Sequence, residues 1–150
     1  MPSPDLPGVV IRAFRDEDRA AVAAIHDQLF PGSHLPGPRV DEGRDRRVFV
    51  AIRDPDPVGY VAIDRQHDGQ GYLDFVGVTD DERGLGIGTA LAAEACVSAW
   101  DAGSVGVHLT VRTSNVAARR LYERLGFTEE RILVPWRRRR GTQRFAQPRP

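Results

Sequence analysis

The chain contains no lysine: all 21 of its basic residues, among 150 in total, are arginine. That absence excludes a P-loop lysine beneath a nucleotide phosphate and a lysine Schiff base to pyridoxal phosphate or an aldol substrate. Cysteine is nearly missing as well. Cys96 stands alone, so no intrachain disulfide forms, and its setting in AEACVSAW reads as a small packed apolar group in a reducing compartment. No apolar run approaches the roughly 20 residues that a membrane span needs. The opening MPSPDLPG lacks a charged start followed by an apolar stretch, so a cytoplasmic protein is expected, away from membranes. His26, His34, His67 and His108 are scattered without ligand spacing, and no metal site is predicted.

The residues that are present balance as in an ordinary globular chain. With 41% hydrophobic and 28% charged residues there is enough apolar surface for one core, and a single domain over residues 1–150 is expected. The formal net charge is zero but unevenly spread. Residues 131–150 hold seven arginines and no acid, against 14 arginines and 21 acids before them, so an acidic body carries a basic tail. The run Arg137 to Arg140 lacks interleaved aromatics apart from Trp136 and reads as a solvated tail; nucleic-acid binding is not expected.

Hydrophobic periodicity and breakers divide the chain into alternating units. Val9 to Phe14 reads as a strand and Asp16 to Leu29 as a helix behind acidic first-turn residues. Phe30 to Asp45, rich in proline and glycine, is a loop or broken helix of the kind that lines pockets. Arg47 to Arg53 and Val58 to Asp64 form a hairpin across Asp54-Pro55-Asp56-Pro57, and Tyr72 to Val78 is a further strand. A polar, glycine-rich segment then leads into a helix over Thr89 to Trp100 stopped by Gly103, a strand over Val105 to Arg112, and a helix capped by Asn115 and ended by Gly126. Thr128 to Trp136 is a weak strand, and a short strand around Gln143 to Phe145 closes the chain.

Arg83-Gly84-Leu85-Gly86-Ile87-Gly88 lies between a strong strand and a strong helix, where free N–H groups and the positive end of the helix favour an anion. Alternate glycines allow backbone to curl into a nest of donors suited to a pyrophosphate. A dinucleotide fingerprint needs a third glycine three positions after the second. Thr89 or Leu91 stands there instead, so that spacing fails.

Beyond the loop, RTSNVAARRLYERLGF begins 29 residues after Arg83. The two segments together resemble the GCN5-related N-acetyltransferase (GNAT) family over residues 9–134. Its pyrophosphate signature is met at Arg83, Gly86 and Gly88, and its later signature at Asn115, Ala118, Leu121, Tyr122, Gly126 and Phe127. The resemblance implies an α/β (α+β) fold with a mixed, mostly antiparallel central sheet flanked by helices. That sheet splays between the strands at 72–78 and 105–112. It also implies acetyl-CoA as cosubstrate, its pantetheine arm paired like an added strand near Val76 and Val78. The pyrophosphate would be held by Arg83, Gly84, Gly86, Ile87, Gly88 and Thr89, with Asn115 as a further contact.

Tyr122 matches the tyrosine that protonates the departing CoA thiolate in this family. Asp74 shares strand parity with Tyr72, Val76 and Val78, and a charge within YLDFVGV calls for a partner or a wet cleft; it is the candidate base for the acceptor amine. The Val-Arg-x-Ser-Asn segment is similar to that of ribosomal-protein acetyltransferases, but Thr110 stands where those enzymes have a glutamate, which argues against a protein N-terminus as substrate. The implied activity is acetyl transfer to a primary amine of a small molecule or peptide by direct attack. A noncatalytic acyl-CoA-binding or sensory domain is the alternative, and an edge strand near the C-terminus would suit a homodimer.

Overall fold

Residues 6–66, 68–130 and 142–148 are described by the structure, a computed structural model. His67, Trp136 and the Arg137 to Arg140 run lie outside them. The elements run β1 (Val10–Ala13), α1 (Arg19–Leu29), β2 (Arg46–Arg53), β3 (Asp56–Arg65), β4 (Gly71–Val78), α2 (Ile87–Asp101), β5 (Gly106–Arg112), α3 (Val116–Arg124), β6 (Thr128–Glu130) and β7 (Thr142–Pro148). The strands form a seven-stranded sheet in the order β1-β2-β3-β4-β5-β7-β6. Every neighbouring pair is antiparallel except β4 with β5.

Two apolar clusters cover the faces of this sheet. Val22 and Ile25 of α1 meet Val48, Val50, Tyr60, Ala62 and Phe75 on one side. On the other, α2 and α3 pack over Val61, Ile63, Leu73, Val107, Leu109 and Phe145. Helix α2 is buried around most of its circumference, which suits its run of alanines: their small side chains let it approach the sheet closely. Cys96 lies on that helix at 2% exposure, its thiol pKa pushed up to about 12 by burial, and serves as a packed apolar group.

Three expectations change in detail. Asp16 to Asp18 forms a 3₁₀ turn, and the α-helix begins at Arg19. The reason is Asp18, whose carboxylate accepts from Arg12 at 2.7 and 2.9 Å and from the Arg15 N–H at 2.8 Å. The last strand is longer than expected and lies inside the sheet, because Thr142 to Pro148 pairs with β5 along its whole length and Phe145 is buried at 1% exposure. The third change is in β4. The register runs Ala62 opposite Phe75 and then Ile63 opposite Leu73, leaving Asp74 as the extra residue of a bulge. Alternation therefore breaks there: Leu73, Val76 and Val78 pack toward α2 while Phe75 packs toward α1.

Candidate active site

The parallel ladder between β4 and β5 consists of Gly71 with Val107 and Tyr72 with His108. Beyond Tyr72 the strands diverge, so the β5-facing edge of β4 from Leu73 to Val78 has no ladder partner among the described residues. The fork is braced at its base. The Tyr72 hydroxyl and Thr110 Oγ1 are 3.0 Å apart across it, and the Tyr72 ring lies 5.1 Å from the His108 ring. His108 is buried at 7% exposure, and its Nδ1 is 3.0 Å from Gln70 Oε1.

The open edge of β4 runs directly into the glycine loop. A 3₁₀ turn over Asp80 to Glu82 precedes it, with Glu82 fastened to Arg53 by two 2.8 Å bonds. Gly84 (φ 79°) and Gly86 (φ 92°) both adopt the left-handed conformation, in which a side chain is strained. Gly86 caps α2, whose first intrahelical bond is Ala90 N–H to Gly86 C=O at 3.0 Å. The N–H groups of residues 84–89 consequently have no acceptor among the described residues, and they lie at the positive end of a 15-residue helix. Gly88 has a different reason to be glycine: an added Cβ would stand 3.1 Å from Leu121 Cδ1, so its bareness lets α2 and α3 meet. The Arg83 guanidinium is exposed and paired with Asp80 at 3.2 Å.

Helix α3 brings the second motif to the same place. Asn115 caps it, its side chain accepting from the Ala118 N–H at 3.2 Å. Tyr122 is 8% exposed against Phe127, with ring centroids 5.7 Å apart. Its hydroxyl has no hydrogen bond among the described residues. Burial drives the Tyr122 pKa well above the ordinary tyrosine value, which keeps a proton on the oxygen at neutral pH.

On the α1 side of the fork stands a charged cluster. Arg46 of β2, 2% exposed, places Nη1 2.8 Å from Asp64 Oδ2 and 3.0 Å from Asp74 Oδ2, and donates from Nε to Val40 C=O at 2.6 Å. His34 Nε2 lies 3.1 Å from the same Asp74 oxygen, its ring stacked on Phe75 at 5.3 Å. Desolvation raises the Asp64 pKa despite Arg46. The bulge is what turns Asp74 into this cluster, so Asp74 shares no face with Val76 and Val78 as parity alone predicts. Sequence reasoning placed the loop of residues 30–45 beside a pocket but missed His34 and Arg46. Nothing in a one-dimensional pattern marks a contact between residues 40 apart.

The sequence profile described as the acetyltransferase (GNAT) family matches residues 11–127, and the chain belongs to that family. A mycothiol acetyltransferase of Thermobispora bispora is 33% identical over 156 residues, covering 92% of this chain and 53% of that protein. The chain thus spans about half the length of that relative. An uncharacterized N-acetyltransferase of Methanocaldococcus jannaschii is 32% identical over 130 residues, 83% of this chain and 81% of its own. Among solved structures, a Bacillus anthracis protein described as a streptothricin acetyltransferase, in complex with acetyl coenzyme A, superimposes with a TM-score of 0.79. It is 18% identical, with 95% of this chain and 99% of that one covered. The ribosomal-protein-S18-alanine N-acetyltransferase of Escherichia coli superimposes with a TM-score of 0.76 at 23% identity, covering 93% of each chain. These likenesses establish the mixed α/β fold. Among the described residues no cluster of His, Cys, Asp or Glu has the makings of a metal site, and no helix is long and apolar enough to cross a membrane.

Proposed function

We propose that the protein transfers the acetyl group of acetyl-CoA to a primary amine of a small molecule or peptide by direct attack, without a covalent enzyme intermediate. The observation that carries this reading is the continuity of the open β4 edge with the unpaired N–H groups at the start of α2. An extended pantetheine arm adds to such an edge as a strand does, near Val76 and Val78. Its pyrophosphate then meets Gly84, Gly86, Ile87, Gly88 and Thr89, with Arg83 swinging from Asp80 to add charge and Asn115 lining the far side.

Each chain residue then has a definable task. The β4 edge fixes the thioester, so the acceptor nitrogen arrives from the α1 side, where Asp74 stands, and attacks the thioester carbonyl carbon once it has lost a proton. As the carbon–sulfur bond breaks, the thiolate takes the proton that burial retains on Tyr122. The remaining ammonium-derived proton leaves for solvent, from which Tyr122 is restored.

The named relatives suggest a first acceptor to try, the amine acetylated by mycothiol acetyltransferases, alongside a panel of small amines and amino-terminal peptides. The test is release of CoA thiol from acetyl-CoA in the presence of each, with mass detection of the acetylated product. A protein that acetyl-CoA stabilises but that releases no thiol with any amine is a binding domain and not a transferase.

A further inference from the structure

The carboxylate of Asp74 is 7% exposed, and one of its oxygens is occupied twice, by Arg46 and by His34. His34 is the opposite: 65% exposed, with only Nε2 engaged. Donation of the Nε2 proton to Asp74 leaves the lone pair on Nδ1, and no partner among the described residues occupies that atom. A buried acid thus presents an exposed imidazole in one tautomer.

We propose that His34 is the base that takes the proton from the acceptor ammonium, with Asp74 as the positioning residue behind it and Arg46 holding Asp74. This rests on the acetyl-transfer reading above. The step balances: the ammonium N–H bond breaks, Nδ1 gains the proton, the nitrogen keeps the electron pair with which it attacks, and the imidazolium returns its proton to solvent.

Three observations favour this role over a simple tether. The loop that carries His34 is already fastened on both sides of it. Ser33 Oγ donates to Leu35 C=O at 2.6 Å, buried His26 reaches both of those groups at 2.9 Å, and the Gly37 N–H donates to Asp27 at 2.8 Å. One contact from an exposed histidine adds little to a loop held by four other bonds. The ring is also oriented without substrate, stacked on Phe75. Finally, the charged groups facing His34 are Asp74 of β4, Asp64 of β3 and Arg46 of β2, with His26 of α1 across Phe75. Two carboxylates against one guanidinium leave a negative surplus, which attracts an ammonium.

The experiment compares two small nucleophiles on the full chain with acetyl-CoA: n-propylamine, which is protonated at neutral pH, and methoxyamine, which is not. Wild-type CoA release with n-propylamine should rise with pH and then level off, while methoxyamine should show no such rise. His34→Gln should slow the n-propylamine reaction on the order of 10²-fold, replace the levelling profile by one that keeps rising with the free amine, and affect methoxyamine at least about tenfold less. Asp74→Asn should lower kcat and move the pH of levelling while leaving KM for acetyl-CoA unchanged, and the double variant should be no slower than His34→Gln alone. An equal fall with both nucleophiles, or a levelling profile unchanged in His34→Gln, overturns the base assignment while the transferase reading stands. No CoA release from wild type with either nucleophile or with any amine of the acceptor panel overturns the transferase reading itself, and the base with it.

Discussion

Arg46 Nη1 lies 3.0 Å from Asp74 Oδ2, and the same nitrogen lies 2.8 Å from Asp64 Oδ2, so one buried guanidinium joins two carboxylates on neighbouring strands. Removing the cation strands both acids in a low-dielectric setting. Arg46→Met should destabilise the protein by roughly 3–5 kcal/mol, as removing one member of a buried ion pair does, whereas Asp64→Asn should cost much less because Asp64 is the more solvated partner. Urea denaturation of the two variants checks the order; equal midpoints for Arg46→Met and wild type would contradict it.

Gly86 at φ 92° closes the donor nest of residues 84–89. Gly86→Val forces a β-branched side chain into the left-handed region and should distort the nest before it disturbs the core. Acetyl-CoA should raise the melting temperature of wild type, NAD and ATP should not, and the shift with acetyl-CoA should vanish in the variant. Identical shifts from all three nucleotides would show a loop without selectivity for CoA.

Tyr122→Phe keeps the ring against Phe127 and removes the proton donor. Turnover should fall on the order of 10²- to 10⁴-fold, with the melting temperature and the acetyl-CoA shift nearly unchanged. Since burial raises the tyrosine pKa, its ionisation should contribute no descending limb to the wild-type profile near neutral pH. Full activity in the variant would reduce Tyr122 to a packing residue.

Asp18 is held by Arg12 and the Arg15 N–H, and its hydrogen bond to Arg12 lowers its pKa below the ordinary aspartate value. A carboxyl depressed in the folded state stabilises the protein above its unfolded pKa, near about 4, and that contribution is lost as pH falls through the folded value. Acid unfolding of Asp18→Asn should accordingly be shallower than that of wild type, with the two stability curves converging at the lowest pH. Parallel curves would mean that Asp18 titrates alike in both states.

Short-range chemistry wrote much of this protein into its sequence. Gly86 is needed because a helix must start there from a left-handed residue, Asn115 because its side chain caps the next helix, and both lie within a few residues of what they organise. Strands β2, β3 and β5 follow β-rich runs of their own residues, and the two spaced signatures resemble those of an acetyltransferase without any coordinates. What lay beyond the sequence depends on strand register. The bulge at Asp74 shows only in the pairing of β4 with β3, where one residue too many turns a side chain from one face to the other. Strand β7 has no strong pattern of its own; it becomes an interior strand because it pairs with β5 on one side and β6 on the other, with Phe145 buried. His34, Arg46, Asp64 and Asp74 come from a loop and three strands, and their meeting is set by how α1 and its loop lie across the sheet. Local sequence governs backbone conformation over a few residues, whereas a charged cluster of this kind forms only when packing brings distant segments within a few ångströms and removes the water between them.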